Sequence, residues 1–144
     1  LQDAIGLPII NGAELVAQYL KTAGIQRVGV LATDGALAAG VFQKELQKLD
    51  IEYVLPDQEH QSRLMDLIYA ELKAGYMPDY DEFEGIIAKL KQEEKVQALV
   101  LGCTELSLIK KCYGDKFTIQ AIDALEILAE CSLQSCGKKI RKDG

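Results

Sequence analysis

A short apolar run that ends at a glycine constrains the fold of this chain more than any other stretch. Residues 96–101 are mostly apolar, which is typical of a strand buried on both faces of a sheet, and Gly102 ends the run. Cys103, Thr104 and Glu105 follow, at the point where a helix is predicted to begin. Open α/β sheets place ligand groups at such strand ends, and the free N–H groups of a first helical turn favour anions. We therefore expect a functional site at this junction.

Cys103 allows two interpretations at this position. The positive end of the predicted helix would lower the pKa of the thiol, which makes the residue a candidate base or nucleophile. A cysteine that follows an apolar strand is, however, most often a small buried hydrophobic residue. Spacing alone leaves both interpretations open.

The rest of the chain alternates predicted strands with predicted helices. Helical periodicity separates strands predicted at residues 28–32, 51–55, 96–101 and 117–122, and a single apolar helix is predicted over residues 37–49. This alternation predicts an α/β fold with a parallel sheet flanked by helices. Thr33 and Cys103 each follow a strand, and the carboxyl ends of parallel strands open at one edge. We expect both residues to face one cleft that binds a small molecule.

Charge and cysteine spacing exclude several functional classes. The formal net charge of -6 argues against a nucleic-acid partner, because a phosphate-binding surface needs clustered lysine and arginine. The four cysteines, at 103, 112, 131 and 136, form neither a Cys-x-x-Cys pair nor a zinc-ligand series with His60, so no metal is expected. No apolar run approaches the roughly 20 residues that span a bilayer, and no signal-like start is present. We expect no membrane contact and a reducing, cytoplasmic location.

Three segments together carry a family resemblance. They are Leu-Ala-Thr-Asp-Gly at 31–35, Leu-Met-Asp-Leu-Ile-Tyr-Ala-Glu-Leu-Lys-Ala-Gly at 64–75, and Leu-Gly-Cys-Thr-Glu-Leu at 101–106. In this order, from about residue 7 to about residue 130, the chain resembles the second half of the aspartate/glutamate racemase family. The resemblance implies two similar α/β halves that face each other across a cleft, each half donating one cysteine. It also implies that no cofactor is needed.

The resemblance assigns roles to five residues. Inversion of an α-carbon removes a proton from one face and returns one to the other, so two thiols act as base and acid, and Cys103 is one of them. Thr33 and Thr104 would bind a substrate carboxylate, and Lys73 would bind the second carboxylate of an acidic amino acid. Glu105 would orient or tune the thiol. Without the resemblance, Lys73 is a solvated cation at a helix end and Glu105 is a helix-capping acid.

The chain also departs from the family pattern. The family's other cysteine lies in a Cys-Asn-Thr motif upstream of the matching segment, and no Cys-Asn-Thr occurs here. Ala36 and Ser107 stand where many members carry threonine and proline, which affects substrate contacts rather than the scaffold. We therefore expect residues about 25–120 to be a second half proper. Residues 1–24 and 121–144 would be a hinge and terminal helix that pack poorly here because they belong against a missing first half or another copy. Exposed leucines are then expected at positions 125, 128 and 133.

Three functions remain open at this point. The first is a cofactor-independent racemase of an acidic amino acid, seen without its first-half cysteine. The second is a non-catalytic domain of the same ancestry that binds a dicarboxylate or a protein. The third keeps the scaffold but uses a single thiol to protonate a planar carbanion after decarboxylation.

Overall fold

A computed structural model describes residues 12–135 of the 144-residue chain. Its centre is a parallel four-stranded sheet in the order β2-β1-β3-β4, flanked by helices, which confirms the predicted α/β class. The strands are β1 (Arg27–Leu31), β2 (Glu52–Val54), β3 (Ala98–Leu101) and β4 (Gln120–Asp123). The helices are α1 (Gly12–Thr22), α2 (Asp34–Ala39), α3 (Val41–Lys48), α4 (Gln58–Asp66), α5 (Tyr80–Gln92), α6 (Thr104–Tyr113) and α7 (Ala124–Ser135). Across the described part of the chain, no helix is both long enough and apolar enough to cross a membrane.

The apolar strands are explained by helices on both faces of the sheet. Side chains alternate along β3, so Leu99 and Leu101 pack into one hydrophobic cluster, while Val100 packs into another. All four residues of β3 are buried. A strand covered on both faces has no solvent-facing positions, and this is why its sequence is continuously apolar rather than alternating.

The register of β1 and β3 brings two strand ends to the same level. Leu31 of β1 is paired with Leu101 of β3, and the N–H of Gly102 donates to the carbonyl of Leu31 at 2.8 Å. Thr33 and Cys103 each lie two residues beyond these partners. The structure therefore places both residues at the carboxyl edge of neighbouring strands, as predicted.

Two predicted elements differ from the structure by more than the one or two residues seen at the other strand ends. The single helix predicted over residues 37–49 is divided into α2 and α3 at Gly40, whose φ of 70° lies in the left-handed region. The last strand begins at Gln120 rather than at Phe117. The Phe117 ring instead packs 5.6 Å from the rings of Tyr80 and Phe83, so its apolar surface is buried outside the sheet.

The two terminal helices differ in how they fit the half-protein expectation. Poor packing of residues 1–24 is wrong for α1, because Val16 and Leu20 are fully buried against the sheet. On α7, Leu125 is 43% exposed as expected, but Leu128 is partly buried and contacts α1 near Gly12. Residues 1–11 and the side chain of Leu133 lie outside the described residues. The missing first half itself stays a prediction.

A substitution at Gly102 can test how closely the residues beneath the site are packed. A Cβ at this position would lie 2.6 Å from Cε2 of Phe42 and 3.1 Å from Cβ of Ala32, so Gly102→Ala forces either the buried Phe42 ring or the strand end to shift. We expect the free energy of unfolding to fall by about 1–3 kcal/mol, measured by urea denaturation. Gly114→Ala is the matched control, because nothing lies within 4 Å of that Cβ position. Equal stability of the two variants would contradict the close approach.

Candidate active site

Cys103 occupies the junction between β3 and α6. It is the N-cap residue of α6, with extended backbone angles of φ -145° and ψ 161°, and its side chain makes no capping hydrogen bond to the helix. Its sulfur is partly buried, against the cluster that contains Leu101 and Leu106. The thiol is thus accessible at the sheet edge but not freely solvated.

The expected lowering of the thiol pKa is wrong. Burial raises the pKa of Cys103, because the thiolate would lose hydration, and the negative charge of Glu105 raises it further. The nearby backbone N–H groups of Leu106 and Glu105 act in the opposite direction but do not outweigh burial. At neutral pH the resting form is therefore the thiol, which can donate a proton.

An ion pair stands beside this thiol. Lys73 Nζ lies 2.8 Å from Oε2 of Glu105, which belongs to the first turn of α6. The pKa of Glu105 is lowered chiefly by Lys73, and the pKa of Lys73 is raised chiefly by Glu105, so both remain charged at neutral pH. The negative charge that Cys103 carries as a thiolate also raises the pKa of Lys73, which places all three groups in one cluster.

A wide helical turn sets the position of Lys73. Helix α4 continues as a π-helix over Leu67–Leu72, and the Lys73 N–H donates to the carbonyl of Ile68 at 2.9 Å, five residues earlier. Such π-helical turns occur often at functional sites. Lys73 Nζ also lies 5.3 Å from the centre of the Tyr69 ring, which favours a cation there. Lys73 is therefore held by packing as well as by charge.

The two threonines lie at helix starts, in positions that differ by one residue. Thr33 is the N-cap of α2, and its Oγ1 accepts a 3.3 Å hydrogen bond from the N–H of Ala36. Thr104 is the exposed first residue of α6, and its hydroxyl helps to lower the pKa of Glu105. Both hydroxyls lie at strand ends where the N-terminus of a helix begins.

Several contributing residues were not identified from the sequence. Gln61 Nε2 donates to the carbonyl of Ala32 at 3.0 Å and to Oδ1 of Asp34 at 2.9 Å, which fixes the loop around Thr33. Ser107 and Asp123 form a buried hydrogen bond close to the start of α6. The only sequence signal for Asp123 was its place directly after the strand predicted at residues 117–122. Its partner Ser107 lies 16 residues away, and contacts over such separations leave no spacing pattern in a sequence.

The structure assembles some of the expected site residues more closely than others. Cys103, Glu105 and Lys73 form one cluster, which Thr104 adjoins, while Thr33 lies at the neighbouring strand end. A groove of about 700 Å³ between α1, β4 and α7 does not include Cys103. Among the side chains described over residues 12–130, no three His, Cys, Asp or Glu groups lie so that they could hold a metal ion.

These features define the class of protein: it is a parallel α/β domain with a cysteine and a charged pair at the carboxyl edge of its sheet. The sequence model of the Asp/Glu/Hydantoin racemase family matches residues 1–131. The chain belongs to this family.

Individual relatives agree with this assignment. A candidate Asp/Glu racemase from Yersinia pestis superposes with a TM-score of 0.83 at 27% identity, over 95% of this chain and 60% of that one. An aspartate racemase from Picrophilus torridus gives a TM-score of 0.71 at 29% identity, over 95% and 56%. A glutamate racemase from Geobacter metallireducens is 24% identical over 136 residues, which are 88% of this chain and 47% of that protein. The chain thus spans about half to three fifths of these relatives.

The charged pair should control the protonation of Cys103. Because Glu105 raises the thiol pKa, Glu105→Gln is expected to lower it, and alkylation by iodoacetamide at pH 7 should quicken by about three- to ten-fold. Lys73→Met should raise the thiol pKa and slow alkylation by a similar factor, because the positive charge is lost. The rate at Cys103 is read by mass spectrometry over a range of pH.

Lys116→Met is the matched control for the lysine change. Lys116 Nζ also lies 5.3 Å from a tyrosine ring, that of Tyr113, but at the far end of α6 from Cys103. We expect this variant to alkylate at the parental rate. A change of the same sign in the Glu105 and Lys73 variants would show that their charges do not act on the thiol.

Proposed function

We propose that this chain provides one acid–base half of a thiol-dependent racemase of an acidic amino acid, aspartate or glutamate. The observation that carries the proposal is the placement of Cys103 at the carboxyl edge of the sheet, beside the Lys73–Glu105 ion pair. Family membership supports the reaction class, and the aspartate and glutamate racemases among the relatives support the substrate class.

The thiol supplies one of the two proton transfers. Inversion takes a proton from one face of the α-carbon and delivers one to the opposite face. In one direction the Cys103 S–H gives its proton to the planar carbanion and becomes a thiolate. In the other direction that thiolate takes the α-proton and returns to the thiol. The raised pKa of Cys103 supports the proton-donating role as the resting one.

The surrounding groups suit an anionic substrate. Thr33 and Thr104 stand at helix starts, where hydroxyl and backbone N–H groups can bind the α-carboxylate. Lys73 carries three N–H donors, and 43% of its side chain is exposed, so it can bind a second carboxylate while still contacting Glu105. A dicarboxylic amino acid would satisfy both ends of this arrangement.

The second proton-transfer group belongs outside the described residues in this proposal. Cys112, the other cysteine with a described side chain, is exposed near the end of α6, away from the strand edge. Since the chain spans only part of its relatives, a preceding domain or a second copy would supply the opposite thiol. No cofactor is required by two-thiol chemistry. Two-thiol chemistry needs cysteines that are not oxidised to disulfides. We therefore place the protein in the reducing cytoplasm in this proposal.

One observation favours a second candidate function. Burial keeps the Cys103 thiol protonated at rest, and the part-exposed Lys73 ammonium can still bind a carboxylate, so the site can bind a dicarboxylate without performing chemistry. The alternative is therefore a non-catalytic dicarboxylate-binding domain of the same ancestry.

An isotope experiment separates these functions. The purified chain is incubated in deuterated water with each enantiomer of aspartate and glutamate, and the α-proton signal is followed by NMR. We expect slow exchange of one enantiomer without efficient interconversion, because one thiol can remove and return the proton on one face only. Cys103→Ser should abolish the exchange.

Cys112→Ser is the matched control, because it removes an exposed thiol from the same helix. Exchange should continue in this variant at the parental rate. Efficient racemisation by the chain as a monomer, with a rate per chain that does not change on dilution, would contradict the need for a second thiol from outside. Substrate binding without any exchange would favour the non-catalytic alternative.

A further inference from the structure

A buried carboxylate connects three elements behind the thiol. Asp123 is the last residue of β4, and only 3% of it is exposed. Its Oδ1 accepts a 2.9 Å hydrogen bond from the Ser107 hydroxyl on α6 and another of 2.9 Å from the N–H of Leu125 on α7. Ser107 is also buried, at 7% exposure. A hydrogen bond between two buried side chains is shielded from competing water, so it holds both partners in place.

Ser107 belongs to the same helical turn as Cys103. Its N–H donates to the Cys103 carbonyl at 3.4 Å, which is the first hydrogen bond of α6. The Ser107 hydroxyl oxygen lies 3.5 Å from the same carbonyl, but its one proton is directed to the closer Asp123. The first turn of α6 is therefore fastened to the end of β4, and Cys103 moves with that turn.

We infer that Ser107 and Asp123 are positioning residues for Cys103: their hydrogen bond keeps the first turn of α6 against the sheet and so fixes where the sulfur sits. Ser107 was expected from the sequence to affect substrate contacts, but its side chain is buried and bonded to Asp123, so it acts here on the scaffold. This inference rests on the proposed function, because the position of the sulfur matters most if it transfers a proton. Lys73 and Glu105 are the charged groups that act on the thiol, and the bond between Ser107 and Asp123 leaves them unchanged.

The role is tested with Ser107→Ala, measured first without any substrate. If the turn is released, the sulfur gains solvent, and the iodoacetamide reaction at pH 7 should quicken by about three- to ten-fold as more thiolate forms. Trypsin yields residues 96–110 with Cys103 as its only cysteine, and residues 112–116 with Cys112. Mass spectrometry can therefore follow the two thiols separately, and Cys112 should keep its parental rate.

Two further variants sharpen the test. Leu108→Ala changes an exposed residue on the same helix and should leave the Cys103 rate unchanged. Asp123→Asn keeps an oxygen that can accept from both the Ser107 hydroxyl and the Leu125 N–H, so its rate should stay within about two-fold of the parent. An unchanged Cys103 rate in Ser107→Ala would overturn the inference. Equal acceleration of Cys103 and Cys112 would also overturn it, because that result shows general loosening.

The rate of α-proton exchange measures the effect of the same substitution on the proposed proton transfer. Ser107→Ala should lower the exchange rate at saturating substrate by about ten-fold and leave KM within about two-fold, since only the reacting group is displaced. If the parent chain shows no exchange, the proposed function fails, while the alkylation rates still decide whether the bond positions the sulfur.

Discussion

Residues 28–31 of β1 pair with residues 98–101 of β3 in parallel, and both strands are buried between two layers of helices. This pairing is the constraint on which the site depends. Neighbouring parallel strands run about 4.8 Å apart, so two chains that leave the sheet at the same level must place their next residues side by side. Thr33 and Cys103 come from positions 70 residues apart, yet the register brings both to the same edge of the sheet. Phe42 packs so close to the backbone of Gly102 that the strand end has no room for a side chain there.

The sequence predicted the parts of the fold that follow from local pattern. The continuous apolar character of residues 98–101 reflects burial on both faces, so this strand and its polar end were both identified. Gly40 was overlooked because a single glycine does not interrupt an apolar helical pattern, although its positive φ ends α2. Phe117 was assigned to the strand predicted over residues 117–122, but its ring packs with Tyr80 and Phe83, a long-range contact that local pattern does not show.

The sequence identified most of the residues of the candidate site, but it did not predict the pKa of Cys103 correctly. The helix N-terminus beside Cys103 is a local feature, and its stabilising effect on a thiolate was anticipated. Burial of the sulfur is a tertiary property, and it outweighs the helix because it removes water from the charged form. The contact between Lys73 and Glu105 joins residues 32 positions apart, so no spacing rule could indicate it. The bond between Ser107 and Asp123 is hidden for the same reason.

The two helix starts at the sheet edge are not equally anchored. Helix α6 carries Leu106 and Ile109 in the core, whereas α2 has no buried residue and is divided from α3 at Gly40. Segments with few buried apolar contacts are the ones that open locally at low free-energy cost. The backbone amides on the side of the site that holds Thr33 are therefore expected to exchange faster than those on the side that holds Cys103, which shares the protection of the sheet. A ligand that contacts both sides of the site would meet one adaptable wall and one rigid wall. Part of the conformational entropy that the protein loses on binding would then come from the ordering of α2.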